Sequence, residues 1–186
     1  MATGAVARGT RRAFVVADLP FGSYEESPAQ AVASSVKLIK AGAHAVKLEG
    51  GVRQSQTIKA ITGAGIPVIG HIGFTPQSEH RLGGPRVQGR EEDSATAVID
   101  DAVAVQEAGA SGIVLEMVPA HVAGKITKIL QIPTIGIGAG DHCDGQVLVW
   151  TDMAGMTDWS PSFSRQFGAV GAALRDAATS YGEAVK

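Results

Sequence analysis

Cysteine is almost missing from this sequence: Cys143 stands alone among 186 residues. A single thiol excludes an internal disulfide framework and fits a reducing compartment. Long apolar runs are missing too. No segment approaches the roughly twenty apolar residues that cross a bilayer, and the small, basic opening "MATGAVARGTRR" leads into no apolar stretch of signal-peptide length. Nor is there an excess of either charge. Sixteen basic residues against eighteen acidic ones leave a net charge of −2, and the basic residues are scattered. Neither nucleic acid nor an acidic membrane surface is therefore expected as a partner, and a cytoplasmic location is the expectation. What is present is globular, with 45% hydrophobic and 18% charged residues in a length suited to one domain.

Short apolar runs alternate with helical patterns. The runs are Phe14–Ala17, His44–Leu48, Ile66–Ile72, Gly112–Val118, Ile132–Ile137 and Gln146–Trp150. Most are continuous rather than alternating, as parallel strands covered on both faces require. Between the first two, Ser27 can cap a helix with Pro28 in its first position, Gln30 completes a capping box and Gly42 ends it. Val32, Val36 and Ile39 then share one stripe. "AGAHAVKLE" (41–49) resembles "AGASGIVLE" (108–116), and "AGIPVIGHIG" (64–73) resembles "LQIPTIGIGAG" (130–140). Such an array of βα units predicts an α/β fold, a (βα)8 TIM-type barrel, with a doubly wound open sheet as the alternative. About six of the eight βα units are present, so the expectation is a single barrel domain over 1–186, incomplete at its N-terminal side.

In such barrels the chemistry sits at the carboxyl ends of the strands. Those ends carry Asp18, Lys47, Glu49, His71 and Glu116, followed by the glycines of "GIGAG" (136–140). Taken singly, each has a bland explanation: Asp18 as a turn residue, His71 as a satisfied core histidine, Lys47 with Glu49 as an ion pair on a wet edge. Five converging on one rim point instead to a functional site. Two carboxylates among oxygen-rich neighbours suit a hard cation such as Mg2+, and no His/Cys cluster speaks for zinc. A lysine beside the cation can hold a substrate carboxylate or an enolate oxygen. Glu116, within the apolar "IVLEMVP", is expected to have a raised pKa, as suits a general base. The combination fits proton abstraction next to a chelated 2-oxo acid. "GIGAG" is a close backbone turn or a ligand approach, and "GGPRVQGRE" (83–91) a loop over the site or a plain connection.

Six segments in order, "VVADLPFGSYE", "GAHAVKLEGG", "IPVIGHIGFTPQS", "LGGPRVQGR", "VLEMVPAHVA" and "IPTIGIGAGDHCDGQVLVWTDMAG", closely resemble the ketopantoate hydroxymethyltransferase family. The resemblance runs from Phe14 to Gly155 and loosens after Asp158. It implies that Asp18 binds Mg2+ and substrate, that Glu49 lies in the metal shell, and that Lys47 and His71 contact the 2-oxo acid. It further implies that Glu116 is the base at C3 of 2-oxoisovalerate. The resulting enolate would attack 5,10-methylenetetrahydrofolate to give ketopantoate, a step of pantothenate and coenzyme A synthesis. The family's barrels assemble into homo-oligomers, often decamers.

The family pattern places two further βα units before "ADLPF"; the second bears a Gly-Asp-Ser motif that this sequence lacks, and the resemblance implies that its aspartate is the other direct metal ligand and its serine holds the substrate carboxylate. Two readings follow: a shortened enzyme, or a non-enzymatic remnant that partners a longer copy. A third, the phosphoenolpyruvate mutase and isocitrate lyase group, is disfavoured because no Lys-Lys-Cys-Gly-His-like segment occurs.

Overall fold

The computed structural model describes residues 2–186. The chain divides into two compact units, one ending at Gly145 and the other running Gln146–Lys186. The first opens with α1 (Ala2–Gly9). Strands and helices then alternate: β1 (Val16–Asp18), α2 (Pro28–Lys40), β2 (Ala45–Glu49), α3 (Ser55–Gly63), β3 (Val68–Gly73), the short α4 (Glu79–Leu82), α5 (Glu92–Glu107), β4 (Gly112–Glu116), α6 (Ala120–Ile129) and β5 (Thr134–Ile137). A two-residue strand, β6 (Gly145–Gln146), stands at the junction of the units.

The strands lie in the order β1-β2-β3-β4-β5-β6, with parallel pairing from β1 through β5. Parallel neighbours need a crossover, and helices returning over each strand supply it. Strict sequential order is the layout of a (βα)8 barrel wall, here an arc of six strands with β1 as a bare edge.

Side chains alternate along each strand and so sort into two faces. Val46 and Leu48, Val68 and Ile72, and Ile113 and Leu115 pack under the helices, against Ile58 and Ile61 of α3, Val105 of α5 and Ile126 of α6. The opposite, barrel-side face has a smaller apolar layer of Ala45, Ile69, Val114 and Ile137, joined by Ile135. Two residues further along β2, β3 and β4, the same face carries Lys47 and Glu49, His71, and Glu116. Lys47 and Glu49 thus stand on the barrel side while Val46 and Leu48 stand in the core.

Local expectations for α2 hold at its start: Ser27 Oγ accepts the Gln30 backbone N–H at 3.2 Å, with Pro28 in the first turn. The Gln30 side chain reaches back to the Glu26 N–H rather than that of Ser27. Gly42, at φ +104°, carries the chain out of the helix. The stripe differs from expectation. Ala31 and Ser35 are the buried positions, Val32, Leu38 and Ile39 flank the core, and Val36 is exposed. The expected strand Gln146–Trp150 also shortens, because only Gly145–Gln146 pairs and Val149 caps a new helix.

That helix, α7 (Trp150–Met153), belongs to the second unit with α8 (Val170–Ala184). Backbone bonds from Phe167 N to Met153 O (2.7 Å) and from Val170 N to Ala154 O (3.0 Å) tie the end of α7 to the start of α8. Among the described residues no helix is long and apolar enough to cross a membrane.

Candidate active site

The five charged residues expected at the strand ends form one continuous set. Strand register sets Asp18 beside Lys47 and Glu49 beside His71. Lys47 Nζ lies 2.9 Å from Asp18 Oδ1 and 3.5 Å from His71 Nδ1. The same Nδ1 is 3.5 Å from Glu49 Oε1, and Nε2 is 3.0 Å from Glu116 Oε2. His71 and Glu49 are buried, Glu116 is 17% exposed, and Asp18, on the edge strand, is 61% exposed.

Burial pushes the His71 imidazole toward neutrality, but the Glu116 and Glu49 carboxylates outweigh it, and the ring titrates above its ordinary value. Nε2 nevertheless lacks a directed hydrogen bond, so its contact with Glu116 is one of charge and proximity. A buried nitrogen without a directed partner in a charged recess is a natural contact point for a ligand or water.

Glu116 is the last residue of β4. Its neighbours in sequence are apolar, but Leu115 is turned into the core beneath the helices, and the carboxylate meets His71 instead. Its position is pinned on both sides. The Glu116 carbonyl accepts the Phe74 N–H at 2.8 Å, and Met117 N donates to Ile137 O at 2.9 Å. Met117 has φ +49°, the one positive φ at a non-glycine among the described residues. Backbone strain of this kind collects at functional sites.

The "GIGAG" segment after β5 is a turn with a close approach to α6. Gly138 and Gly140 have φ of +61° and +78°, and a Cβ on Gly140 would lie 2.5 Å from that of Ala120. The loop at 83–91 is tied to the site, since Gln88 N donates to Met117 O at 2.8 Å. Beside the rim, a cavity of about 340 Å3 opens between the loops after β2 and β3 and α5, bordered by Arg53, Arg81 and Asp101.

Two residues were missed from sequence. Gln77 donates its backbone N–H to Glu49 Oε2 at 2.9 Å, and Tyr24 donates its hydroxyl to Gln77 Oε1 at 2.6 Å. Both lie in segments just beyond β1 and β3, the one available signal, but neither is charged.

Asp18 and Glu49 are the residues of this set whose chemistry suits Mg2+. This ion commonly takes one or two carboxylates and keeps other positions for water and substrate, and Asp18 and Glu49 are two such carboxylates on neighbouring strands. Among the described residues no group of three or more His, Cys, Asp or Glu is placed to hold a metal ion.

Comparison with known proteins shows the family. The family model described as ketopantoate hydroxymethyltransferase matches residues 1–186. A 3-methyl-2-oxobutanoate hydroxymethyltransferase of Leifsonia xyli subsp. xyli is 58% identical over 185 residues, 98% of this chain and 66% of the relative. One from Rhodococcus jostii is 60% identical over 183 residues, 97% of this chain and 63% of the relative. The chain thus spans just under two thirds of the length of these relatives. Among solved structures, 2,3-dimethylmalate lyase superposes with a TM-score of 0.57 at 14% identity, covering 97% of this chain and 63% of that one. Phosphonopyruvate hydrolase does so with a TM-score of 0.55 at 17% identity, with the same coverages. At such identities the two structures share the fold alone with this chain. Matched from end to end by the family model and at about 60% identity by its members, the chain belongs to the ketopantoate hydroxymethyltransferase family.

Proposed function

We propose that this chain carries the catalytic rim of an enzyme that transfers a hydroxymethyl group from 5,10-methylenetetrahydrofolate to 3-methyl-2-oxobutanoate, giving ketopantoate. The observation that carries the reading is the unbroken set Asp18, Lys47, His71, Glu49 and Glu116 at the carboxyl ends of four adjacent strands, in a chain of this family. Glu116 takes the proton from C3 of the 2-oxo acid. Lys47 holds negative charge on the substrate while the enolate forms, and His71 keeps the Glu116 carboxylate turned into the site. C3 then bonds to the one-carbon unit as both of its C–N bonds to the folate break; water supplies the hydroxyl, and the proton held by Glu116 and the second proton of the water pass to the two folate nitrogens, so tetrahydrofolate leaves. Asp18 and Glu49 would hold Mg2+, which when bound supplies Lewis-acid polarisation of the 2-oxo group. The proposal extends to a cytoplasmic homo-oligomer, in keeping with the family resemblance. It also includes completion of the barrel beyond β1, by further βα units or by another copy.

The test assays the purified chain, alone and joined to the N-terminal third of the Leifsonia relative, with both substrates and Mg2+. The joined form is expected to make ketopantoate, and Glu116→Ala to cut the rate by about 10²–10⁴-fold. A folded joined form that makes none would overturn the reading. The bare edge at β1 favours one second reading, a non-enzymatic chain that docks on a longer copy. Silence in both forms, with association to the full-length relative, would establish it.

A further inference from the structure

Glu49 is a buried carboxylate whose two oxygens have different surroundings. Oε2 accepts the backbone N–H of Gln77 at 2.9 Å, whereas Oε1 faces the His71 ring at 3.5 Å. The side chain of Gln77 turns away from Glu49. Its Nε2 donates to the carbonyl of Leu19, just past β1, at 2.9 Å, and its Oε1 accepts the Tyr24 hydroxyl at 2.6 Å. The Tyr24 oxygen in turn accepts the Glu49 backbone N–H at 3.4 Å. The bonds close a circuit: Glu49 backbone to Tyr24, Tyr24 to the Gln77 side chain, Gln77 backbone to the Glu49 carboxylate.

Each link has one permitted direction. A carbonyl only accepts, so the Gln77 NH2 must face Leu19 and its oxygen must face Tyr24. The phenol must then be the donor. Its burial keeps it protonated, holding its ionisation well above the ordinary tyrosine value. Turning the amide over would set two oxygens against each other at Leu19 and leave the hydroxyl without an acceptor.

We propose that Tyr24 and Gln77 are positioning residues that fix the plane of the Glu49 carboxylate, tying up Oε2 and leaving Oε1 as the oxygen presented to the site. Neither touches reacting atoms. The circuit joins the loops that follow β1 and β3 to the end of β2, so it also holds three strand ends in register. The part of the inference that concerns a cation rests on the reading given under Proposed function, while the circuit itself does not.

The test compares the wild-type chain with Tyr24→Phe and Gln77→Met. Each substitution keeps the bulk of its side chain, and Gln77→Met keeps the backbone N–H. Three quantities are read: hydrogen exchange of the residue-77 amide in the ligand-free chain, the thermal midpoint, and the Mg2+ dissociation constant by calorimetry. Exchange at residue 77 is expected to accelerate about tenfold or more, as loss of one hydrogen bond allows. Mg2+ binding should weaken about 10–100-fold, as loss of ligand-orienting partners does. Amides in α5 and α6 should keep their protection in both variants, which separates positioning from general loosening. Unchanged exchange at residue 77 in both variants would overturn the inference, as would loosening spread evenly over the fold. A wild-type chain that binds no Mg2+, with residue-77 exchange still responding, would sink the cation reading and leave the circuit standing.

Discussion

At Gly73 the backbone of β3 passes so close to the end of β4 that only hydrogen fits as a side chain. A Cβ there would lie 2.2 Å from the Glu116 carbonyl oxygen, and φ is +88°. That carbonyl is the acceptor for Phe74 N–H, so the close approach also places Glu116. Gly73→Ala is expected to lower stability by about 2–4 kcal/mol through overlap and backbone strain, read as a shift in the urea midpoint at constant slope. A change under roughly 0.5 kcal/mol would mean that the two strands can part without cost. The charged members of the site were legible as residues because Lys47 and Glu49 sit two apart in an apolar run, a pattern that needs either solvent or a partner on one face. Tyr24 and Gln77 were not legible. They are uncharged, they lie on loops, and they meet across 53 positions of sequence, a proximity that exists only once β1, β2 and β3 stand side by side.

Strands were the more readable elements, since burial on both faces removes polar residues from the run and marks it plainly. The "QVLVW" run misled because apolar character does not make a strand without a neighbour to pair with, and Val147 and Val149 are exposed. The loop that follows β5 shows how an element end is held instead. Asp144 Oδ2 accepts the Thr134 backbone N–H at 2.8 Å and the Thr134 hydroxyl at 3.0 Å, while Thr134 Oγ1 accepts Asp144 N at 3.2 Å. The Thr134 backbone N–H first, and its hydroxyl next, hold the Asp144 carboxyl below the usual carboxylate range. A depressed folded-state pKa stabilises above the unfolded value and ceases to as pH falls through the folded one. Wild type should therefore lose stability on acidification below about pH 4 more steeply than Asp144→Ala. The variant should be the less stable of the two near neutrality. Thermal melts of both proteins at neutral pH and at about pH 3 check this, and parallel losses in the two would contradict it.

In the first unit the parallel strands follow one another from β1 to β5, and β1 has a strand neighbour on one side alone. Val16 on that strand and Phe14 and Phe21 around it are exposed, and an unpaired edge with apolar flanks invites another strand. The chain is expected to self-associate as its concentration rises, and Val16→Lys to reduce this while leaving the thermal midpoint nearly unchanged. Sedimentation over a range of concentrations decides it, and a monomer throughout would show the edge to be inert. The sequential strand order also has a bearing on synthesis. Each strand from β1 to β5 pairs with the one before it in sequence, so the sheet is built from contacts between successive units. Asp18, Lys47, Glu49 and His71 all leave the ribosome before Glu116, so the set of charges at the strand ends is complete only once β4 has been made.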